Sequence, residues 1–173
     1  LGGQAERGTG TPKPRPGVAA PTGSVGVSLK QSGARDFDPL STDREEHRED
    51  VKLVVDRDPN TTWSTEGYDA GALEQKGGVG VFVDAVPAAA AVRIDIDTPT
   101  PGWRGQVYGA AAGAPPEKLE DWVPLTDIGE ARSTNELELD GTEYRYFLVW
   151  IEQLPPEKRS AEISEISLLQ KRS

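Results

Sequence analysis

Val54 to Tyr68 reads VVDRDPNTTWSTEGY. Two β-branched residues run into Asp56-Arg57-Asp58-Pro59-Asn60, where two carboxylates, a proline and an asparagine dictate a tight polar turn. Thr61, Thr62 and Trp63 follow at once, so a large aromatic side chain arrives directly behind the turn. A loop rich in carboxylate and hydroxyl oxygen, held from behind by a buried indole, offers the donors that a hard cation such as calcium takes. The same residues equally describe a solvent-exposed turn beside a core tryptophan, and both readings stand at this point.

Outward from the turn, the apolar residues recur at every second position. Val51, Leu53 and Val55 recur at period two just before it, which predicts a strand. Val25, Val27 and Leu29 do the same upstream, as do Val79, Val81 and Val83 after Gly77-Gly78. Val92, Ile94 and Ile96 alternate with Arg93, Asp95 and Asp97, so the acids are expected on a wet face. Short strands are also predicted over Gln106 to Gly109, Trp122 to Thr126 and Ile163 to Leu169. Asp140-Gly141 is a hairpin signal between Leu137/Leu139 and Tyr144 to Ile151. In that last run Tyr146, Leu148 and Trp150 share one face and Phe147, Val149 and Ile151 the other, the mark of a central strand.

Eight or nine short strands, frequent turns and no long helical period give an all-β chain, an antiparallel sandwich or jelly roll. The predicted sandwich occupies residues 24–173. Residues 1–23, with TPKPRPG at their centre, have no hydrophobic period and read as a Pro/Gly-rich linker.

Charge narrows the function classes. The formal net charge is −10, and Arg7, Lys13 and Arg15 against Glu6 make residues 1–23 positive, so the net negative charge lies in the predicted folded part. No basic stripe is available for a phosphate backbone, which argues against a nucleic-acid partner. The chain has no cysteine, so disulfides, thiolate metal sites and cysteine nucleophiles are excluded. It has no methionine either and reads as a piece of a longer protein, with any signal or membrane helix expected outside it.

Catalytic signatures are missing. Gly78-Val79-Gly80 has no third glycine and no helix signal after it, and no GKS or GKT occurs. There is no GxSxG elbow, and the single histidine, His47, lies among Glu45, Glu46, Arg48 and Glu49, where it reads as solvated. A non-catalytic binding domain is the better expectation. Trp63, Trp122 and Trp150 sit among strand residues and are assigned to the core. Trp103 stands in Pro101-Gly102-Trp103-Arg104-Gly105, which reads as a turn displaying Trp103 and Arg104. With Tyr68, which leaves the organising turn, these are the candidate ligand-binding residues, since sugar recognition needs an aromatic face and polar groups beside it.

From Asp36 to Leu169 the order DFDP, VVDRDPNTTWSTEGY, KGGVGVFVD, YFLVWIEQLP and AEISEISL resembles discoidin-like (F5/8 type C, galactose-binding-like) domains. The similarity is to the branch that forms the extracytoplasmic C-terminal part of actinobacterial MviN/MurJ-type lipid II flippase homologues. It implies a galactose-binding-domain-like sandwich outside the cytoplasm, tethered to the plasma membrane through a segment not present in this sequence. It also implies cell-wall glycan or a lipid-linked precursor as partner. A rival expectation is a protein-interaction or sensor domain of a kinase-like membrane protein. In calcium-holding relatives the ion lies between the turn and a glutamate near the last strand; by resemblance its ligands here are Asp58, Thr61 and Glu165. The chain departs from that pattern at Arg57, where the relatives have glycine. Independently, Ala161, Ile163 and Glu165 fall on one strand face, so Glu165 is expected to point inward.

Overall fold

The computed structural model describes residues 23–172. Of the stretch read as a linker, all but Gly23 lies outside the described residues.

The architecture turns on one long strand. The valine alternation at 79–83 and the isoleucine alternation at 92–96 belong to a single strand, β4 (Val79–Asp97), rather than two. Its pairing register breaks between Asp84 and Ala89, where the Val86-Pro87 peptide is cis. Before the break β4 pairs with β2 (Arg35–Phe37) and β8 (Glu143–Gln153). After it, β4 keeps two pairs with β8, Ala89 with Tyr144 and Ala90 with Glu143, and from Ala91 onward pairs with β7 (Thr134–Glu138) and β10 (Glu165–Lys171). One layer is therefore β2-β4-β8-β5-β6, with β5 at Arg104–Ala110 and β6 at Val123–Glu130. The other is β1-β10-β4-β7, with β1 at Ser24–Gly26. A two-stranded ribbon, β3 (Trp63–Ser64) with β9 (Glu162–Ile163), stands apart, and every pairing is antiparallel.

Alternation explains the packing. Val79, Val81 and Val83 from β4, Phe147, Val149 and Ile151 from β8, and Ile166 and Leu168 from β10 point into one core. Each side chain of this kind contributes roughly 1.5–3 kcal/mol when fully buried. The opposite face of β8, with Tyr146, Leu148 and Trp150, is covered too and joins Phe37, Phe82 and Trp122 in an aromatic cluster. Edge-on and tilted ring pairs hold that cluster, with Phe82 and Trp122 centroids 5.4 Å apart and Phe37 and Trp122 5.6 Å apart. A strand apolar on both faces is central as expected, between β4 and β5.

Three expectations need correction. Arg48–Val55 is a 3-10 helix, not a strand: Val51, Val54 and Val55 are the buried residues, so helical spacing outweighs the alternation of 51, 53 and 55. Asp140-Gly141 does not close a hairpin, because β7 pairs with β4 while β8 lies in the other layer. It carries the chain between layers instead, with Gly141 at φ +84° and its N–H donated to Ala91 O. Asp95 is not on a wet face; it is 3% exposed and takes two hydrogen bonds, at 2.7 and 2.9 Å, from the buried guanidinium of Arg93. A bidentate pair of this kind lets both charges leave water. A five-residue helix, α1 (Ala72–Lys76), buries Leu73 and was not expected. Among the described residues no helix is long and apolar enough to cross a membrane.

Candidate functional site

The polar turn folds around Asp56, a residue that sequence reasoning did not single out. One Asp56 oxygen accepts the N–H of Asp58 at 2.9 Å and the other the hydroxyl of Thr61 at 2.5 Å. Asp58 in turn accepts the N–H of Asn60 at 2.9 Å. These are the short-range carboxylate-to-backbone bonds that make Asp and Asn turn formers. Arg57 adopts the left-handed conformation at φ +63°, a backbone that glycine would take without strain. Its N–H reaches Glu165 Oε1 at 3.0 Å, so the inward glutamate of β10 does meet the turn, 6% exposed. Within the turn the Thr61 hydroxyl also reaches Asp58 O at 3.1 Å, and Glu165 meets the turn through the Arg57 N–H. Among the described residues no group of three His, Cys, Asp or Glu gathers as a metal site.

Trp63, behind the turn, is fully buried, and its indole N–H donates to the Glu46 carbonyl at 2.7 Å. That bond leads to a buried ionisable cluster. The Glu46 carboxylate is wholly enclosed and accepts the N–H of Glu66 at 2.6 Å and the Tyr68 hydroxyl at 2.9 and 3.0 Å. Lys76 Nζ donates to the Tyr68 hydroxyl at 2.9 Å and lies 2.7 Å from Asp38 Oδ1, an ion pair without hydrogen-bond geometry. Burial pushes the Glu46 carboxyl up to about 7, against the pull of its hydrogen bonds and of Lys76. Burial, then the Glu46 charge, raises the Tyr68 phenol. Tyr68 is half-buried and committed to this cluster rather than presented to a ligand.

His47 is not merely solvated. Its Nδ1 is 2.7 Å from Ser64 O, and that bond raises its pKa. Trp103 is a clearer correction, because it is not displayed: it is fully buried, with its indole N–H on Thr98 Oγ1 at 3.1 Å. The turn ends at Gly102, Trp103 packs inward just before β5, and β5 opens with Arg104 on the exposed side. Arg104 is exposed and lies 3.8 Å from Glu130. Tyr68, Trp103 and Arg104 are therefore not brought together around one surface depression.

The surface does hold a depression elsewhere, at the end of the sandwich where the layers part. Ala91, Val123, Pro124, Leu125, Leu139, Tyr144 and Phe147 supply its apolar lining, and Glu138, Asp140 and Thr142 the polar part. Its volume is about 430 Å³, within the range of small-molecule sites. Tyr144 stands edge-on to Phe147, with centroids 6.1 Å apart, and rests where Gly109 leaves room, since a Cβ there would come within 2.9 Å of the ring. Val123 is 45% exposed at the mouth. The sequence carries no local signal for this site, because its lining gathers from four strands that are separate along the chain.

No family model matches the chain, and no curated protein matches it. Solved structures do. The family 32 carbohydrate-binding module of Clostridium perfringens NanJ, solved with galactose, shares 16% identity, with 85% of this chain and 99% of that one covered, at a TM-score of 0.60. A truncated AlyQ with CBM32 and alginate lyase domains shares 9% identity over 86% of this chain and 34% of its own, also at 0.60. A family 89 glycoside hydrolase from Clostridium perfringens shares 13% identity over 84% of this chain at 0.59, and this chain spans only 15% of it. At these identities the likeness shows the fold alone: an antiparallel β-sandwich like that of these carbohydrate-binding modules.

Proposed function

We propose that this domain is a non-catalytic glycan-binding module whose site is the depression floored by Tyr144. The observation that carries the reading is that depression: an aromatic side chain in an apolar hollow, with carboxylate and hydroxyl groups beside it. Sugars are recognised by such a combination, C–H groups against a ring and hydroxyls on polar side chains. Carbohydrate-binding modules among the similar structures support the class.

The setting follows from the motifs quoted above. On that resemblance the domain hangs outside the plasma membrane from a MviN/MurJ-like cell-wall protein, and contacts cell-wall glycan or a lipid-linked precursor. Calorimetric titration with chitotriose and with muropeptides tests the reading. Binding should be lost in Tyr144→Ala and in Val123→Trp, which plugs the mouth from an exposed position. No binding of either ligand at millimolar concentration overturns it in favour of a protein-interaction domain. Turnover of a glycan substrate would overturn the non-catalytic part.

A structural calcium ion held by Asp58, Thr61 and Glu165 is a separate proposal. It is favoured by the reach of Glu165 to the turn and by the left-handed backbone that Arg57 accepts in place of glycine. These are oxygen donors of the type calcium takes. A melting temperature that rises with calcium in the wild type and not in Glu165→Ala supports it; an identical melt with chelator removes it.

A further inference from the structure

Resting on the glycan reading, the chemistry of the rim says which sugars the depression takes. Of its ten lining residues two are acidic, Glu138 and Asp140, and none is Lys, Arg or His. Both acids are exposed and lie in or beside the chain crossing between the layers. Asp140 is held in place by the N–H of Thr142, which its Oδ1 accepts at 2.9 Å; that bond keeps its carboxyl below the usual carboxylate range. The nearest arginine along the register, Arg93 opposite Glu138, is occupied by Asp95 at 2.7 Å and lies 3.7 Å from Glu136. A sugar carboxylate entering the hollow would meet two negative charges, one of them held in place, with no counter-cation in the lining. An ammonium group would meet two acceptors.

We propose that this depression selects neutral and amine-bearing sugars and rejects uronic acids, with Glu138 and Asp140 as the filter. Charge complementarity at an exposed rim acts mainly on specificity, with a modest effect on affinity. Two exposed carboxylates should favour an amino sugar over its N-acetyl counterpart by about three- to tenfold at low salt. The preference should shrink as salt screens the rim.

The test uses chitotriose, its de-acetylated counterpart and trigalacturonic acid, titrated at a slightly acidic pH against the wild type and a Glu138→Gln/Asp140→Asn double variant. Both substitutions are on exposed positions, and Asn retains the side-chain oxygen that accepts the Thr142 N–H. The expected result is amine-bearing over neutral over acidic in the wild type, and loss of the amine preference in the variant. Trigalacturonic acid binding as tightly as chitotriose overturns the filter and leaves the glycan reading intact. So does an amine preference that survives in the double variant. If none of the three binds, the filter falls, and the muropeptide titration alone then decides the glycan reading.

Discussion

The indole N–H of Trp63 donates to the backbone carbonyl of Glu46 at 2.7 Å, joining the segment behind the polar turn to a loop 17 positions earlier. His47 Nδ1 to Ser64 O and Glu66 N–H to the Glu46 carboxylate run in parallel, so the two segments are laced at three points. Trp63→Phe keeps most of the apolar volume and leaves the buried carbonyl unpaired. It should cost about 1–3 kcal/mol in denaturant unfolding. Trp63→Ala, which also opens a cavity, should cost about 3–5 kcal/mol.

The enclosed carboxylate at that junction makes stability depend on pH. Glu46 titrates at about 7 in the folded protein against a reference of 4.5, so between these values the unfolded chain releases the proton first. The folded state then holds more protons, and stability falls as pH rises through that window. His47, also raised, acts with the same sign from its own reference of 6.5 upward. Glu46→Gln should flatten the decline between pH 4.5 and 7, removing on the order of 3 kcal/mol of the total fall as read by melts across that range. A variant with an undiminished decline would place its source elsewhere.

The left-handed backbone at Arg57 gives a prediction with opposite signs. At φ +63° a residue with a Cβ carries a conformational cost that glycine does not. Arg57→Gly should be neutral or stabilising by up to about 1 kcal/mol, whereas the β-branched Arg57→Val should destabilise by about 1–2 kcal/mol. Both leave the N–H on Glu165 intact, so unfolding midpoints read the backbone alone. Equal effects of the two substitutions would contradict the strain.

What the chain declares locally and what only contact decides separate cleanly in these residues. The alternation of Val79 to Val83, Ile94 to Ile96 and Phe147 to Ile151 marks core faces because period two is a property of the strand itself. Glu165 is buried as expected but not by that alternation: β9 ends at Ile163, β10 starts afresh at Glu165, and within β10 it is Ile166 and Leu168 that face the core. Val51 to Val55 misleads because five residues fit both periods, and burial of Val54 beside Val55 chose the helical one. Asp140-Gly141 misleads because a turn signal does not name the partner strand, which here is β4. The Glu46 cluster was illegible: in a run of acids, nothing local marks the one that Tyr68 and Lys76 will enclose from 22 and 30 positions away. The Tyr144 depression shares that property, since its lining comes from β4, β6, β7 and β8 together.

Trp103 supplies the final prediction, because its loss would imitate a binding defect. It is fully buried beside Gly105 on β5, and its N–H is met by Thr98 Oγ1, a hydroxyl that also donates to Glu162 O at 2.5 Å. Thr98 therefore links the start of β5 to the β3–β9 ribbon through one oxygen. Trp103→Ala should lower stability by about 3–5 kcal/mol, and any ligand affinity lost should return when the variant is assayed well below its own melting point. Trp103→Phe should retain ligand affinity while losing about 1–2 kcal/mol from the missing bond to Thr98. If Trp103→Phe instead abolished binding at unchanged stability, the indole would have to reach the ligand through a surface that the buried position does not provide.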